Sequence, residues 1–176
     1  MGASFFVDPP DIDETLCAGE APGDYVVRLA MAKAEVVARR HPDALVIAAD
    51  TTVALGSRIL GKPIDADDAR QMLEALSGNE HTVHTGLAVV RNATALSGLG
   101  STMVRMATIS EGDIAWYLAT AEPYDKAGAY AIQGVGGVFV EAIEGSVSNV
   151  IGLPMTLLRS LVRRLGVELM VPTTTY

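Results

Sequence analysis

The chain reads as an α/β domain with a mixed, twisted sheet and helices packed on its faces. Three observations predict this. Strand-like apolar runs alternate with segments of helical period. Hairpin signals interrupt that alternation, so a purely parallel sheet does not fit. About half of the 176 residues are apolar (49%), enough to bury a real core in one domain spanning residues 1–176.

The elements follow in order. Met1–Pro22 is irregular, broken by Pro9, Pro10, Gly19 and Pro22. Asp24–His41 reads as a helix capped by Asp24, with Tyr25, Leu29, Ala32 and Val36 along one side. Pro42 disfavours helix beyond it. Leu45–Ala49 reads as a buried strand running into Asp50, and Thr51–Leu60 as a hairpin turning at Gly56-Ser57. Asp65 caps a helix through Ala66–Leu76, with Gly78 past its end. His81–Arg91 and Thr94–Ile109 are long strands around Asn92-Ala93. Ser110 with Asp113 opens a helix to about Ala119. Gly128–Val140 is glycine-rich, with a strand at Val138–Ala142, and Pro154 opens a last helix closed by Gly166. The C-terminal residues 171–176 read as irregular.

Composition excludes several classes of function. The net charge is −8, the wrong sign for a face that tracks a nucleic-acid backbone. No apolar run approaches the ~20 residues of a membrane helix, and the opening MGASFFVDPP lacks the pattern of a secretory signal. The single cysteine, Cys17, has no internal disulfide partner and fits a reducing cytoplasm.

Several residues look chemical, each with a plainer alternative. Asp50 follows ALVIAA. Beyond the carboxyl end of a strand it can meet a metal, a water or a substrate hydroxyl, or simply bond neighbouring amides. Lys62 stands between Gly61 and Pro63, poised for phosphate or placed on the surface after a hairpin. Lys33 lies mid-helix, where a solvated lysine is common. The acidic run DIDE (Asp11–Glu14) offers oxygen ligands for Mg²⁺ without an EF-hand's spacing. YDKAGAYAIQGVG (Tyr124–Gly136) carries Lys126 and Gln133. The Gln133 amide can read a nucleobase edge or bond loop backbone. The chain has no Walker A motif, and its G-V-G-G is no dinucleotide fingerprint. His81 and His84 face opposite sides of a strand and share no metal. Met103, Met106 and Trp116 read as core.

Taken in order, DIDE, YVVRLAMAKA (Tyr25–Ala34), AADTTVALGSRILGKP (Ala48–Pro63), MLEALSGNEHTVHTG (Met72–Gly86), EPYDKAGAYAIQG (Glu122–Gly134) and NVIGLP (Asn149–Pro154) resemble the Maf family of nucleotide pyrophosphatases. The resemblance covers Asp11 to about Leu165. It implies the inosine-triphosphatase-like fold, with two lobes around a cleft, in a cytoplasmic enzyme. The implied reaction is hydrolysis of a nucleoside triphosphate to the monophosphate and pyrophosphate with Mg²⁺ or Mn²⁺. Asp50 matches the proton acceptor, which leaves two roles open: direct proton removal, or orientation of a water through the metal. Lys33 and Lys62 match cationic pocket positions, Glu14 with Asp50 a metal-binding pair, and Lys126 a substrate contact. Thr51 and Gln133 match the pair of the branch acting on dTTP and UTP.

The family pattern also begins with a strand, a small-Ser-Pro-Arg-Arg turn and a helix. Only Met1–Ser4 precede FFVDPPDIDE. The expectation is therefore a fold lacking that first strand and helix, weakened activity, and an open sheet edge suited to a homodimer. The family's association with septum formation supplies the other expectation, a nucleotide-binding regulator of weak catalysis.

Overall fold

A computed structural model describes residues 5–92 and 94–169. The expectations for Met1–Ser4, Ala93 and residues 170–176 lie outside them.

Helix α1 (Pro22–Arg40) comes first, then strands β1 (Val46–Leu55) and β2 (Arg58–Leu60) and helix α2 (Ala66–Leu76). The long strands β3 (Glu80–Arg91) and β4 (Thr94–Met106) follow, then α3 (Glu111–Leu118). Three 3₁₀ turns, at Glu122–Asp125, Ala127–Ala129 and Val135–Phe139, lead into β5 (Val140–Glu144). The short α4 (Val147–Val150) and α5 (Met155–Arg164) close the chain. The α/β class with flanking helices holds. The five strands run β2-β1-β3-β4-β5, and every pairing among them is antiparallel.

The local chemistry behaves as read at most ends. Gly56 takes φ 61° in the two-residue turn between Leu55 and Arg58. Asp65 accepts a hydrogen bond from the Asp68 amide (2.8 Å). Ser110 caps α3 through the Asp113 amide (3.1 Å). Gly78 and Gly166 lie past their helices at φ 68° and 70°. Asn92 turns β3 into β4 at φ 47°, a conformation asparagine tolerates better than most residues.

Four readings need correction. Helix α1 starts at Pro22, not Asp24, and Ala21 gives it no side-chain cap. Proline at the first position lacks only an N–H that has no helical partner there. The buried face of α1 is Val26, Leu29, Ala30 and Ala34 rather than the stripe through Ala32 and Val36. Its small residues face the sheet because helix and sheet approach closely at Gly86. A Cβ there would collide with the backbone of Val26 and Val27. Strand β1 is one element running through Asp50, not a buried strand ending before it, and Ile47 on it is exposed. Asp50 sits mid-strand opposite Gly86, held in register by β3. Trp116 is 52% exposed and meets Phe139 edge-on at its rim, while Met106 is core and Met103 is not.

Three apolar clusters hold the layers. The largest joins α2, α3 and the 3₁₀ turns to the β1, β3 and β4 residues Val53, Val83 and Val104. A second packs Ala30 and Ala34 on Val46, Ala88 and Val90. A third packs α5 on Leu87 and Val89 from the other sheet face.

Gly86→Ala tests the close approach. The added methyl meets helix backbone, which cannot rotate away. Urea titration should show a loss of about 1–3 kcal/mol of unfolding free energy.

Candidate active site

Adjacent residues of a strand point to opposite faces, so Asp50 and Thr51 leave β1 on opposite sides of the sheet. Asp50 faces α1, whose mid-helix Lys33 reaches it: Nζ lies 2.6 Å from Asp50 Oδ1. The same ammonium lies 2.7 Å from Glu14 Oε1. Thr51 turns the other way, toward Thr85 and α4. The two sides communicate because β1 pairs with β2 only over Val53–Leu55. Among the described residues the flank of β1 before Val53 has no strand beside it on that side.

A cleft of about 490 Å³ opens there. It is lined by every site residue read from the sequence: Glu14, Lys33, Asp50, Thr51, Lys62, Lys126 and Gln133. Lys62 enters after β2 and makes no ion pair within 4 Å among the described residues, whereas Lys126 is bonded to Asp125 (2.6 Å). Of DIDE, only Glu14 reaches the cleft; Asp13 instead accepts from the Thr15 amide (2.9 Å). His81 and His84 bond separately, to Tyr130 (2.8 Å) and Ser101 (2.9 Å). Cys17 is free and exposed.

Three further lining residues are not singled out as site residues by the sequence: Tyr25, Asp125 and Tyr130. Helical spacing offers a clue to Tyr25, which lies two turns before Lys33 on the same side of α1. Tyr25 donates its hydroxyl hydrogen to the Glu14 carbonyl (3.0 Å). Arg28 clamps Glu20 through two nitrogens (2.6 and 2.8 Å) and donates to the Thr15 carbonyl (3.1 Å). These bonds fasten the irregular segment carrying Glu14 onto α1.

Another anchor shapes the opposite wall. Glu122 accepts from the Tyr117 hydroxyl (2.8 Å) and from the Val135 and Gly136 amides (2.9 and 2.8 Å). It thereby fixes the turn holding Gln133. Gly128 (φ 70°) packs against Val53 and donates its amide to the Gly61 carbonyl (3.0 Å). That contact ties the Lys126 turn to the Lys62 turn.

The electrostatics follow from partial burial. Side-chain exposure is 14% for Asp50 and 19% for Lys33, against 55% for Glu14. Burial pushes the Asp50 carboxyl above the usual carboxylate range, although Lys33 opposes the shift. Burial is also the largest influence on Lys33 and works to lower its pKa. The hydrogen bonds and charges of Asp50 and Glu14 together outweigh it, and the ammonium is held above its usual range.

Among the described residues three ammonium groups and three carboxylates line the cleft, so their charges cancel. A polyphosphate entering it needs added positive charge. Among the described residues no group of three or more His, Cys, Asp or Glu forms a ready metal cage. Glu14 and Asp50 offer hard oxygen donors around one ammonium, a set that fits Mg²⁺ or Mn²⁺ completed by water and ligand phosphate.

A raised carboxyl pKa favours the fold below the ordinary carboxylate pKa, and this contribution disappears as pH rises through the folded value. Lys33→Met removes the larger influences that lower the Asp50 pKa and leaves the weaker one of Lys62 against burial and Glu14, which raise it. Carboxyl-carbon NMR titration in metal-free buffer should find Asp50 titrating at still higher pH in that variant.

Residues 1–165 match the family model described as Maf-like protein. The dTTP/UTP pyrophosphatase of Anaeromyxobacter dehalogenans (strain 2CP-1) is 51% identical over 173 residues, 96% of this chain and 87% of that protein. The dTTP/UTP pyrophosphatase of Myxococcus xanthus is 53% identical over 166 residues, 94% of this chain and 84% of that protein. That of Shewanella denitrificans is 50% identical, covering 86% of this chain and 78% of that protein. With the family model spanning nearly the whole chain and half of all aligned positions identical to these relatives, the chain belongs to the Maf-like family.

Proposed function

We propose that the chain hydrolyses dTTP and UTP to the nucleoside monophosphate and pyrophosphate. The observation that carries this reading is the convergence of Asp50, Lys33 and Lys62 on one cleft large enough for a nucleotide. The names of the relatives at about half identity point to the same reaction.

The cleft divides the task between its two sides. The charged side, with Lys33, Asp50, Glu14 and Lys62, takes the triphosphate; the side with Thr51 and Gln133 takes the base. Water attacks the α-phosphorus, the bond from that phosphorus to the bridging oxygen breaks, and pyrophosphate leaves with the bond electrons. Asp50 takes the proton from the attacking water. A carboxyl pKa raised by burial makes it a stronger base than an exposed aspartate. Lys33 holds Asp50 Oδ1, leaving Oδ2 for the water. Lys62, with no carboxylate within 4 Å among the described residues, is the ammonium free to meet a phosphate oxygen. Glu14 and Asp50 would hold a divalent cation. That cation would neutralise phosphate charge and polarise the phosphoryl group.

A metal requirement, a cytoplasmic location and a link to septum formation belong to the same proposal. The exposed, unbridged Cys17 suits a reducing compartment. Among the described residues no helix is long and apolar enough to cross a membrane.

The test is pyrophosphate release from dTTP and UTP with Mg²⁺ or Mn²⁺, abolished by a chelator. Asp50→Asn should lose about 10²–10⁴-fold in kcat. Lys62→Met should lose roughly ten- to a hundredfold in kcat/KM, as expected for one charge-assisted contact. Tight nucleotide binding without release would instead favour the nucleotide-binding regulator.

A further inference from the structure

Thr85 is fully buried on β3 and does not line the cleft. Its hydroxyl oxygen lies 2.9 Å from the Asn149 carbonyl oxygen and 2.9 Å from the Thr51 hydroxyl oxygen. A carbonyl has no hydrogen to give, so Thr85 donates to Asn149. A threonine hydroxyl carries a single hydrogen. With that hydrogen spent, the contact to Thr51 is a hydrogen bond only when Thr51 donates. The reverse arrangement would press lone pairs together at 2.9 Å in a dry interior.

The Asn149 carbonyl is itself held in place. The Asn149 side-chain amide donates to the Val83 carbonyl (3.0 Å) and to Thr102 Oγ1 (3.1 Å), pinning α4 on the sheet. Its carbonyl also accepts from the Gly152 amide (2.9 Å). Gly152 passes beside Thr51 without a side chain; a Cβ there would stand 3.2 Å from the Thr51 hydroxyl oxygen.

We propose that Thr85 determines base specificity by consuming the one hydroxyl hydrogen of Thr51. Thr51 then shows the cleft lone pairs only. This rests on the dTTP/UTP reading above. Uracil and thymine carry an N3–H that such an acceptor bonds. Cytosine carries a lone pair at N3, and the two acceptors repel. Thr85 is thus a positioning residue acting through Thr51, and Gln133 supplies donors for the flanking base carbonyls.

The experiment measures kcat/KM for UTP, CTP and the triphosphate of 3-methyluridine, which lacks the N3–H. The wild-type chain should favour UTP over both others by about tenfold or more. Thr85→Val leaves Thr51 free to rotate and donate, and should narrow the UTP-to-CTP ratio by about tenfold. Thr85→Ser keeps the hydroxyl and should restore the ratio. Equal loss on UTP and CTP in Thr85→Val, with the ratio unchanged, overturns the assignment. So does wild-type turnover of 3-methyluridine triphosphate at the UTP rate, which decides the matter even if Thr85→Val fails to fold. Absence of pyrophosphate from both UTP and dTTP is a different failure, that of the functional reading itself.

Discussion

Lys33 carries one positive charge to a place where two carboxylates meet. Its ammonium bridges Asp50 on the sheet and Glu14 on the irregular segment before α1. Burying Asp50 alone would favour its protonation. Burying the lysine alone would favour its neutral form. Together the three groups hold their charges at the edge of the cleft. The arrangement depends on α1 lying close to β1 and β3. That closeness depends in turn on the absent side chain at Gly86 and the small ones at Ala30 and Ala34. A packing constraint between helix and sheet therefore sets an electrostatic one.

Among the described residues the flank of β1 before Val53, away from β3, has no strand beside it, which turns this constraint into a site. A strand paired on both sides would bury the backbone between its two faces. Here β2 covers only Val53–Leu55. Side chains leaving opposite faces of β1 border the same cleft, ionic on one side and hydroxylic on the other. A nucleotide has this division, with an anionic tail and a hydrogen-bonding base. Alternation along one strand separates the two functions by a single residue, from Asp50 to Thr51.

The walls are stiffened by polar groups that are bonded rather than free. Glu122 gathers a tyrosine hydroxyl and two backbone amides beneath Gln133. Arg28 and Tyr25 fasten the segment bearing Glu14. Such bonds limit the conformations a binding loop must lose when it meets its ligand. Ala129 sits at φ 58° with no exposed surface, a strained position maintained by the packing around it.

Local chemistry made much of this legible in advance. The caps at Asp65 and Ser110 and the glycine turn at Gly56 depend on neighbours in sequence, and they are found as read. Order and spacing along the chain carried the family likeness, and with it the set Glu14, Lys33, Asp50, Thr51, Lys62, Lys126 and Gln133. Those seven line one cleft. Position within the sheet was not legible. Asp50 reads as a strand end because an apolar run stops there, but antiparallel pairing with β3 carries the strand past it. The buried face of α1 differs from its apolar period for the same reason: its partner, Gly86, lies far along the chain. Tyr130 and Thr85 gain their meaning from contacts across tens of residues, and Glu122 from the amides of Val135 and Gly136, 13 and 14 residues along the chain. The amino-acid sequence by itself determined which groups were present and how the local turns and caps formed. Only the tertiary structure decided which groups face one another, because proximity across the sheet depends on strand register and helix packing, and neither is a local property of the chain.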